Sequence, residues 1–127
     1  MTPHVQPVRR VDKPWGFELH YALTARYCGK ILFVRKGETL SLQRHERKDE
    51  TLYLQAGLAE VTVGESIKAL ETVRAEPGVA FRVAPGTIHR VHALEDSTFL
   101  EVSTPEVDDV ERLEDRYGRA APGVAFD

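Results

Sequence analysis

Short segments of strand length, rich in Val, Ile, Leu, Phe, Tyr and Thr, follow one another through most of this chain, and glycine or proline marks many of the joins. They run Phe17 to Leu23, Tyr27 to Lys36, Leu40 to His45, Glu50 to Gln55, Ala59 to Val63, Ile67 to Val73, Val79 to Val83, Ile88 to Ala93 and Thr98 to Ser103. Lys36-Gly37-Glu38, Ala56-Gly57, Gly64-Glu65, Glu76-Pro77-Gly78 and Ala84-Pro85-Gly86 separate them. Such spacing is that of sandwiches and barrels. No window before residue 105 holds a 3.6-residue apolar period. Many short strands leave many edges, and a closed or double sheet hides them. The expected fold is all-β, an antiparallel jelly-roll barrel.

The flanks read differently. Residues 1–14 are polar and hold three prolines, which predicts an N-terminal arm. Residues 106–117, EVDDVERLEDRY, carry Val107, Val110 and Leu113 at three-residue spacing behind N-terminal acids, which predicts a short C-terminal helix. Residues 120–127 read as a loose tail. At 127 residues the expectation is a single domain, residues 1–127, burying about two-thirds of its unfolded surface.

A formal net charge of -3, from 17 basic and 20 acidic side chains, gives no reason to expect nucleic acid or an anionic membrane as partner. The single cysteine, Cys28, excludes an intrachain disulfide and fits a reducing compartment. The N-terminal residues lack the apolar core of a signal peptide, and no stretch approaches a membrane span. A soluble cytoplasmic protein is expected.

Chemistry concentrates between Gly37 and Gly57, GETLSLQRHERKDETLYLQAG. In a strand, residues two apart share a face, so Gln43 and His45 reach one point while Arg44 turns away. A turn through residues 46–49 would return Glu50 on the neighbouring strand. Downstream, Pro85-Gly86 makes a tight turn before a strand in which His89 comes early, whereas His92 has the opposite parity and faces away. Gln43, His45, Glu50 and His89 then form a borderline ligand set for one divalent transition metal, Zn²⁺, Fe²⁺, Mn²⁺, Co²⁺ or Ni²⁺.

The pattern G-x5-Q-x-H-x4-E-x6-G resembles cupin motif 1, with Gln43 where the first histidine usually stands, and Gly78 to His89 resembles cupin motif 2. Lys13-Pro14-Trp15-Gly16, Leu40-Ser41-Leu42-Gln43 with His45, Glu101-Val102, and Arg112-Leu113-Glu114-Asp115-Arg116-Tyr117-Gly118-Arg119 are similar to the cupin domain of type II phosphomannose isomerases. The resemblance covers residues 11–119 and implies a double-stranded β-helix with a metal on Gln43, His45, Glu50 and His89. The family's arginine before the motif glutamate is Lys48 here, its histidine and tryptophan after it are Thr51 and Leu52, and its downstream asparagine is Ala93. A guanidinium fork has become a point charge at Lys48.

The leading expectation is a metal-dependent sugar-phosphate isomerase of the mannose-6-phosphate type, interconverting aldose and ketose. The metal would polarise the carbonyl, and a base would move the proton. Glu101 and Lys30 are the candidate bases. Arg112, Arg119 and Lys48 are the candidates for holding a phosphate, since guanidinium matches its geometry. Trp15 is expected to anchor packing. The second reading is a non-catalytic sugar-binding or regulatory cupin module, and the third is an Fe-dependent oxygenase. The partner is a small sugar or sugar phosphate, and the resemblance suggests a homodimer.

Overall fold

A computed structural model of the chain describes residues 4–119. Eleven strands run β1 (Arg9–Lys13), β2 (Gly16–Leu23), β3 (Cys28–Val34), β4 (Leu42–Arg44), β5 (Glu50–Ala56), β6 (Ala59–Gly64), β7 (Glu71–Ala75), β8 (Ala80–Val83), β9 (Ile88–Ala93), β10 (Ser97–Ser103) and β11 (Glu111–Glu114). Among the described residues a single 3₁₀ turn, Ile67–Ala69, lies between β6 and β7. The strands form two antiparallel sheets, β1-β2-β3-β10-β5-β8 and β11-β4-β9-β6-β7. Two such sheets facing each other make the jelly roll that the strand spacing predicted.

Side chains alternate between the two faces of each strand. In the first sheet Leu32 and Val34 of β3, Leu52 and Leu54 of β5 and Phe99 of β10 point inward. The second sheet answers with Ala59 and Val61 of β6 and Val91 and Ala93 of β9. With Trp15 these residues make one apolar core, and Phe99 is 1% exposed in it. Burying a ring of that size stabilises by about 1.5–3 kcal/mol. A second, smaller cluster, Leu42, Ile88 and Leu113, packs with Ile67 and Leu70. Leu42 and Ile88 immediately precede Gln43 and His89, so by parity this cluster backs the sheet on the face opposite those two side chains. Gly57 sits where a Cβ would come within 2.4 Å of the Asp96 carbonyl oxygen, and at φ +105° it adopts a backbone that side chains disfavour.

Four boundaries depart from expectation. The arm predicted over residues 1–14 contains β1, which pairs with β2 from Arg9↔His20 to Lys13↔Gly16. Prolines flank that stretch but do not enter it, and its charges suit an edge strand. The predicted helix over 106–117 is absent; after turns through residues 107–108 the chain forms β11, which pairs Arg112 with Gln43. The spacing of Val107, Val110 and Leu113 has another cause, since the two valines line an interior cavity and Leu113 joins the second cluster. The strand expected over Ile67 to Val73 is the 3₁₀ turn followed by β7. Finally, β4 and β5 lie in different sheets, so residues 45–49 cross between sheets and Glu50 does not sit on a neighbouring strand. The tail expected at 120–127 lies outside the described residues.

Candidate metal centre

Four of the strands that build the apolar core, β3, β5, β9 and β10, also carry polar inward residues toward one end. On β3 the inward series is Val34, Leu32, Lys30, Cys28; on β10 it is Ser97, Phe99, Glu101, Ser103; on β5 it is Leu54, Leu52, Glu50. Register aligns the changes, with Glu101 opposite Lys30 on one side and Ser103 opposite Glu50 on the other. On the facing sheet β9 goes from Ala93 and Val91 to His89, and Gln43 lies directly opposite His89. His45 follows β4 at the start of the crossing loop.

His45, Glu50 and His89 converge, with one ligand atom from each all lying within 4.8 Å of one another. Glu50 Oε1 is 3.4 Å from His45 Nε2 and 3.2 Å from His89 Nε2. Both rings direct Nδ1 at a backbone carbonyl, His45 at that of Asp109 (2.5 Å) and His89 at that of Thr87 (3.2 Å). A carbonyl only accepts, so each Nδ1 carries the proton and each neutral Nε2 presents a lone pair. Two lone pairs and a carboxylate oxygen thus face one another, and His45 Nε2 is buried without a hydrogen-bond partner. Acceptors packed this way require a cation between them, either a proton or a metal ion. Donors held at about 2.0–2.1 Å from one ion lie roughly 2.8–3.0 Å apart at octahedral angles and about 3.3–3.4 Å apart at tetrahedral ones, so the two Glu50–imidazole spacings suit a metal. Gly86, at φ +83°, donates its N–H to the His45 carbonyl at 2.7 Å, which ties the turn before His89 to the other histidine.

Gln43 is close but differently aimed. Its Nε2 is 3.5 Å from His89 Nε2, while Oε1 accepts from Ser41 Oγ at 3.2 Å. An amide nitrogen does not ligate a metal. A half-turn of the amide exchanges the two atoms and leaves Ser41 Oγ as acceptor.

Lys48 lies against acids. Its ammonium is 3.0 Å from Glu50 Oε2 and 3.2 Å from Glu101 Oε2, with about 6% of its side chain exposed. Burial alone would lower its pKa, but Glu101 and Glu50 together outweigh that and raise it. Burial pushes the Glu50 carboxyl up. When a proton rather than a metal ion occupies the gap, the rings of His45 and His89 donate to Glu50, and with the Lys48 charge they hold its carboxyl well below the usual range against that push. Burial and the nearby Glu50 charge instead push Glu101 up, beyond what Lys48 and Lys30 offset. Lys48 therefore stands between two buried carboxyl groups, its single charge shared by them. Lys30 is also committed, its ammonium 3.6 Å from Glu18, which accepts from His20 at 2.8 Å.

The cations not bound to the centre ring the cavity, which Lys13, Lys30, Arg90, Arg112 and Arg119 line together with Trp15. Arg112 keeps a buried Nε without a partner. Arg119 is held by Asp115 through its backbone N–H at 2.6 Å and two guanidinium contacts at 2.9 Å. Burial lowers the pKa of Lys13, and so do the charges of Arg112, Lys30 and Arg119, against an opposing pull from Glu18. Sequence reasoning gave Lys13 no role. Its signal was parity, because Val11 and Lys13 are the less exposed residues of β1 while Arg10 and Asp12 face solvent. His92 faces away from the centre, its Nδ1 2.6 Å from Thr39 Oγ1, and Trp15 is packed in the core.

Comparison with known proteins now decides the family. The pattern of the family described as Mannose-6-phosphate isomerase C-terminal matches residues 2–115. The chain belongs to that family. Xanthan biosynthesis protein XanB of Xanthomonas campestris pv. campestris is 35% identical over 115 residues, covering 87% of this chain and 24% of that protein. Mannose-1-phosphate guanylyltransferase ManC of Salmonella typhimurium is 36% identical over 115 residues, covering 87% of this chain and 23% of that protein. This family domain thus spans about a quarter of the length of the curated relatives it matches. Among solved structures, KdgF from Halomonas sp. superposes with a TM-score of 0.69 at 27% identity, covering 81% of this chain and 91% of that one. Oxalate decarboxylase from Bacillus subtilis gives 0.74 at 17% identity over 84% of this chain and 30% of that one, a likeness of cupin fold alone.

These relatives correct the functional expectation. ManC of Salmonella typhimurium and a curated relative from Escherichia coli are both named as mannose-1-phosphate guanylyltransferases, so the expected sugar-phosphate isomerase is not supported. The geometry agrees, since neither candidate base stands free. Glu101 lies against Lys48 and Lys30 pairs with Glu18. The second reading, a non-catalytic cupin module, fits.

Proposed function

We propose that this family domain is a non-catalytic cupin module that binds a sugar phosphate at a divalent metal, as a sensor or accessory part of cytoplasmic carbohydrate metabolism. The observation that carries the reading is the convergence of His45 Nε2, His89 Nε2 and Glu50 Oε1, three acceptors with a spacing that suits a metal ion. Gln43 would add its amide oxygen as a fourth ligand after the half-turn. The bound ion, whether Zn²⁺, Fe²⁺, Mn²⁺, Co²⁺ or Ni²⁺, would offer positive charge to sugar oxygens. Lys48 keeps Glu50 Oε2 occupied, so Glu50 would ligate through one oxygen and leave positions open. Lys13 and Arg112, with the partly neutralised Arg119, supply the positive rim that a phosphate needs.

Pairing of two copies is the natural use of the outer face of the larger sheet. Phe17 stacks on Phe33 with ring centroids 5.3 Å apart, and Leu19, Ile31 and Leu100 continue the apolar surface. Tyr21, Tyr53 and Val102 stand 44%, 40% and 58% exposed beside them. A monomeric elution of the wild-type protein at micromolar concentration would remove the dimer.

Metal analysis of the purified protein, followed by thermal shift with mannose 1-phosphate, mannose 6-phosphate and free mannose, tests the main reading. A ligand at a hundred times its Kd adds about 2.7 kcal/mol of stability. Stabilisation by the phosphates in the metal-loaded protein only, with no ketose formed, is expected. No metal uptake, or ketose formed from mannose 6-phosphate, would overturn it.

A further inference from the structure

We propose that Asp109 is the positioning residue of the metal centre, acting through the loop that carries His45 and Lys48. The inference rests on the metal reading above and concerns what holds that metal's ligands in place. The crossing loop, residues 45–49, belongs to neither sheet, yet it sets the distance between His45 on one side and Glu50 on the other. Its backbone is held from outside. The Asp109 carboxylate accepts three successive N–H groups, from Glu46 at 3.1 Å, Arg47 at 2.7 Å and Lys48 at 3.0 Å. Consecutive N–H groups aimed at one anion form a nest, and here the anion comes from the chain's own segment 104–110.

The same residue reaches the ligand itself. Its backbone carbonyl accepts from His45 Nδ1 at 2.5 Å, which fixes both the ring's tautomer and its direction. At the far end of the loop, Asp49 and Thr104 exchange two bonds, Asp49 N–H to Thr104 Oγ1 at 3.0 Å and Thr104 N–H to the Asp49 carbonyl at 3.0 Å. One strap therefore clamps the loop at both ends, and Asp109 contacts both the loop backbone and a ligand side chain.

The test uses the full chain loaded with Co²⁺, whose visible absorption reports ligand geometry. Asp109→Asn, which keeps the shape but places an amide among the three N–H groups, should weaken Co²⁺ binding about 10–100-fold and change the visible bands. Formate added to Asp109→Ala should refill the nest and restore the bands. Glu111→Gln, an exposed acid paired with Arg44 nearby, should bind within roughly twofold of wild type, as loss of a surface pair predicts. Wild-type affinity and spectrum in Asp109→Asn would overturn the proposal. If both variants fail to fold, amide exchange in the metal-free wild type decides it. Protection at residues 46–48 is expected, and free exchange there would overturn it. No Co²⁺ binding by the wild type removes the metal reading itself, whereas equal binding by wild type and Asp109→Asn removes only the role of Asp109.

Discussion

The two ends of the barrel interior are built by the same strands and differ in almost everything else. At one end Val34, Leu54, Phe99, Val61 and Ala93 are at most 1% exposed and contain no polar side-chain atom. At the other, Lys30, Lys48, Glu50, Glu101, His45 and His89 are 2–6% exposed and carry charges or ligand atoms. Neither end is wetter than the other by burial. The apolar end supplies stability, because transfer of its side chains from water is favourable. The ionic end stabilises little, because desolvating charges offsets most of what their pairing returns. Its value lies in holding three acceptors at one point. Strand alternation makes the division possible, since moving two residues along β3, β5, β9 or β10 keeps the face and changes only the depth in the barrel.

The sharpest way to break this comparison is to damage each end separately. Phe99→Ala should cost about 3–5 kcal/mol of stability in urea unfolding of the metal-free protein, through lost transfer and a cavity. The fraction still folded should bind Co²⁺ with wild-type affinity. A loss of metal affinity equal to the loss of stability would mean that the two ends are one unit.

Lys48→Met attacks the ionic end. It leaves Glu50 and Glu101 buried without their cation, and unpairing a buried charge costs on the order of 3 kcal/mol. Adding Glu101→Gln to Lys48→Met should return much of that loss, because one of the two abandoned carboxylates becomes neutral. Equal stability of the single and double variants in urea would place the Lys48 effect elsewhere.

Legibility in the sequence followed the same division. The strands and the positions of His45, Glu50 and His89 could be read because period-two alternation and glycine-bracketed turns are local signals. The roles of Lys48 and Asp109 could not. Lys48 meets Glu101 fifty-three residues away, a partnership set by β5 pairing with β10. Asp109 lay within a stretch whose valine spacing matched a helix, and only the pairing of β11 with β4 shows that the spacing serves a strap and a strand. Sheet assignment was equally hidden. A turn after β4 could return to the same sheet or cross to the other, and local residues do not distinguish the two.

Acid should reveal a smaller difference. Glu50, Asp109 and Asp115 all have carboxyls held below their ordinary values in the folded chain. For Glu50 burial opposes the shift and the histidines and Lys48 prevail; for Asp109 the backbone N–H bonds lead, and for Asp115 the Arg119 side chain. A group with a depressed folded pKa contributes stability that is present above its unfolded value, near 4, and is lost as pH falls through the folded one. Metal-free stability should therefore decline below about pH 4. The Asp109→Asn variant should show a shallower decline. Parallel acid profiles for that variant and the wild type would mean that the nest does not hold an ionised carboxylate.

Glu101→Gln should give the smallest change, and of opposite sign. Burial and the Glu50 charge raise the folded pKa of Glu101, so the unfolded chain ionises this group first as pH rises. Such a group lowers stability progressively between its unfolded and folded pKa values, and the deficit then stays constant. Glutamine has the shape of the protonated acid and cannot ionise. The variant should match wild type below pH 4, gain on it through the carboxylate range and level off above, with Lys48 still neutralising Glu50. Urea midpoints measured along that range give the comparison directly. A variant less stable than wild type at pH 7 would mean that the Lys48–Glu101 pair outweighs the repulsion between Glu101 and Glu50, and that the ionic end holds itself together more firmly than its burial suggests.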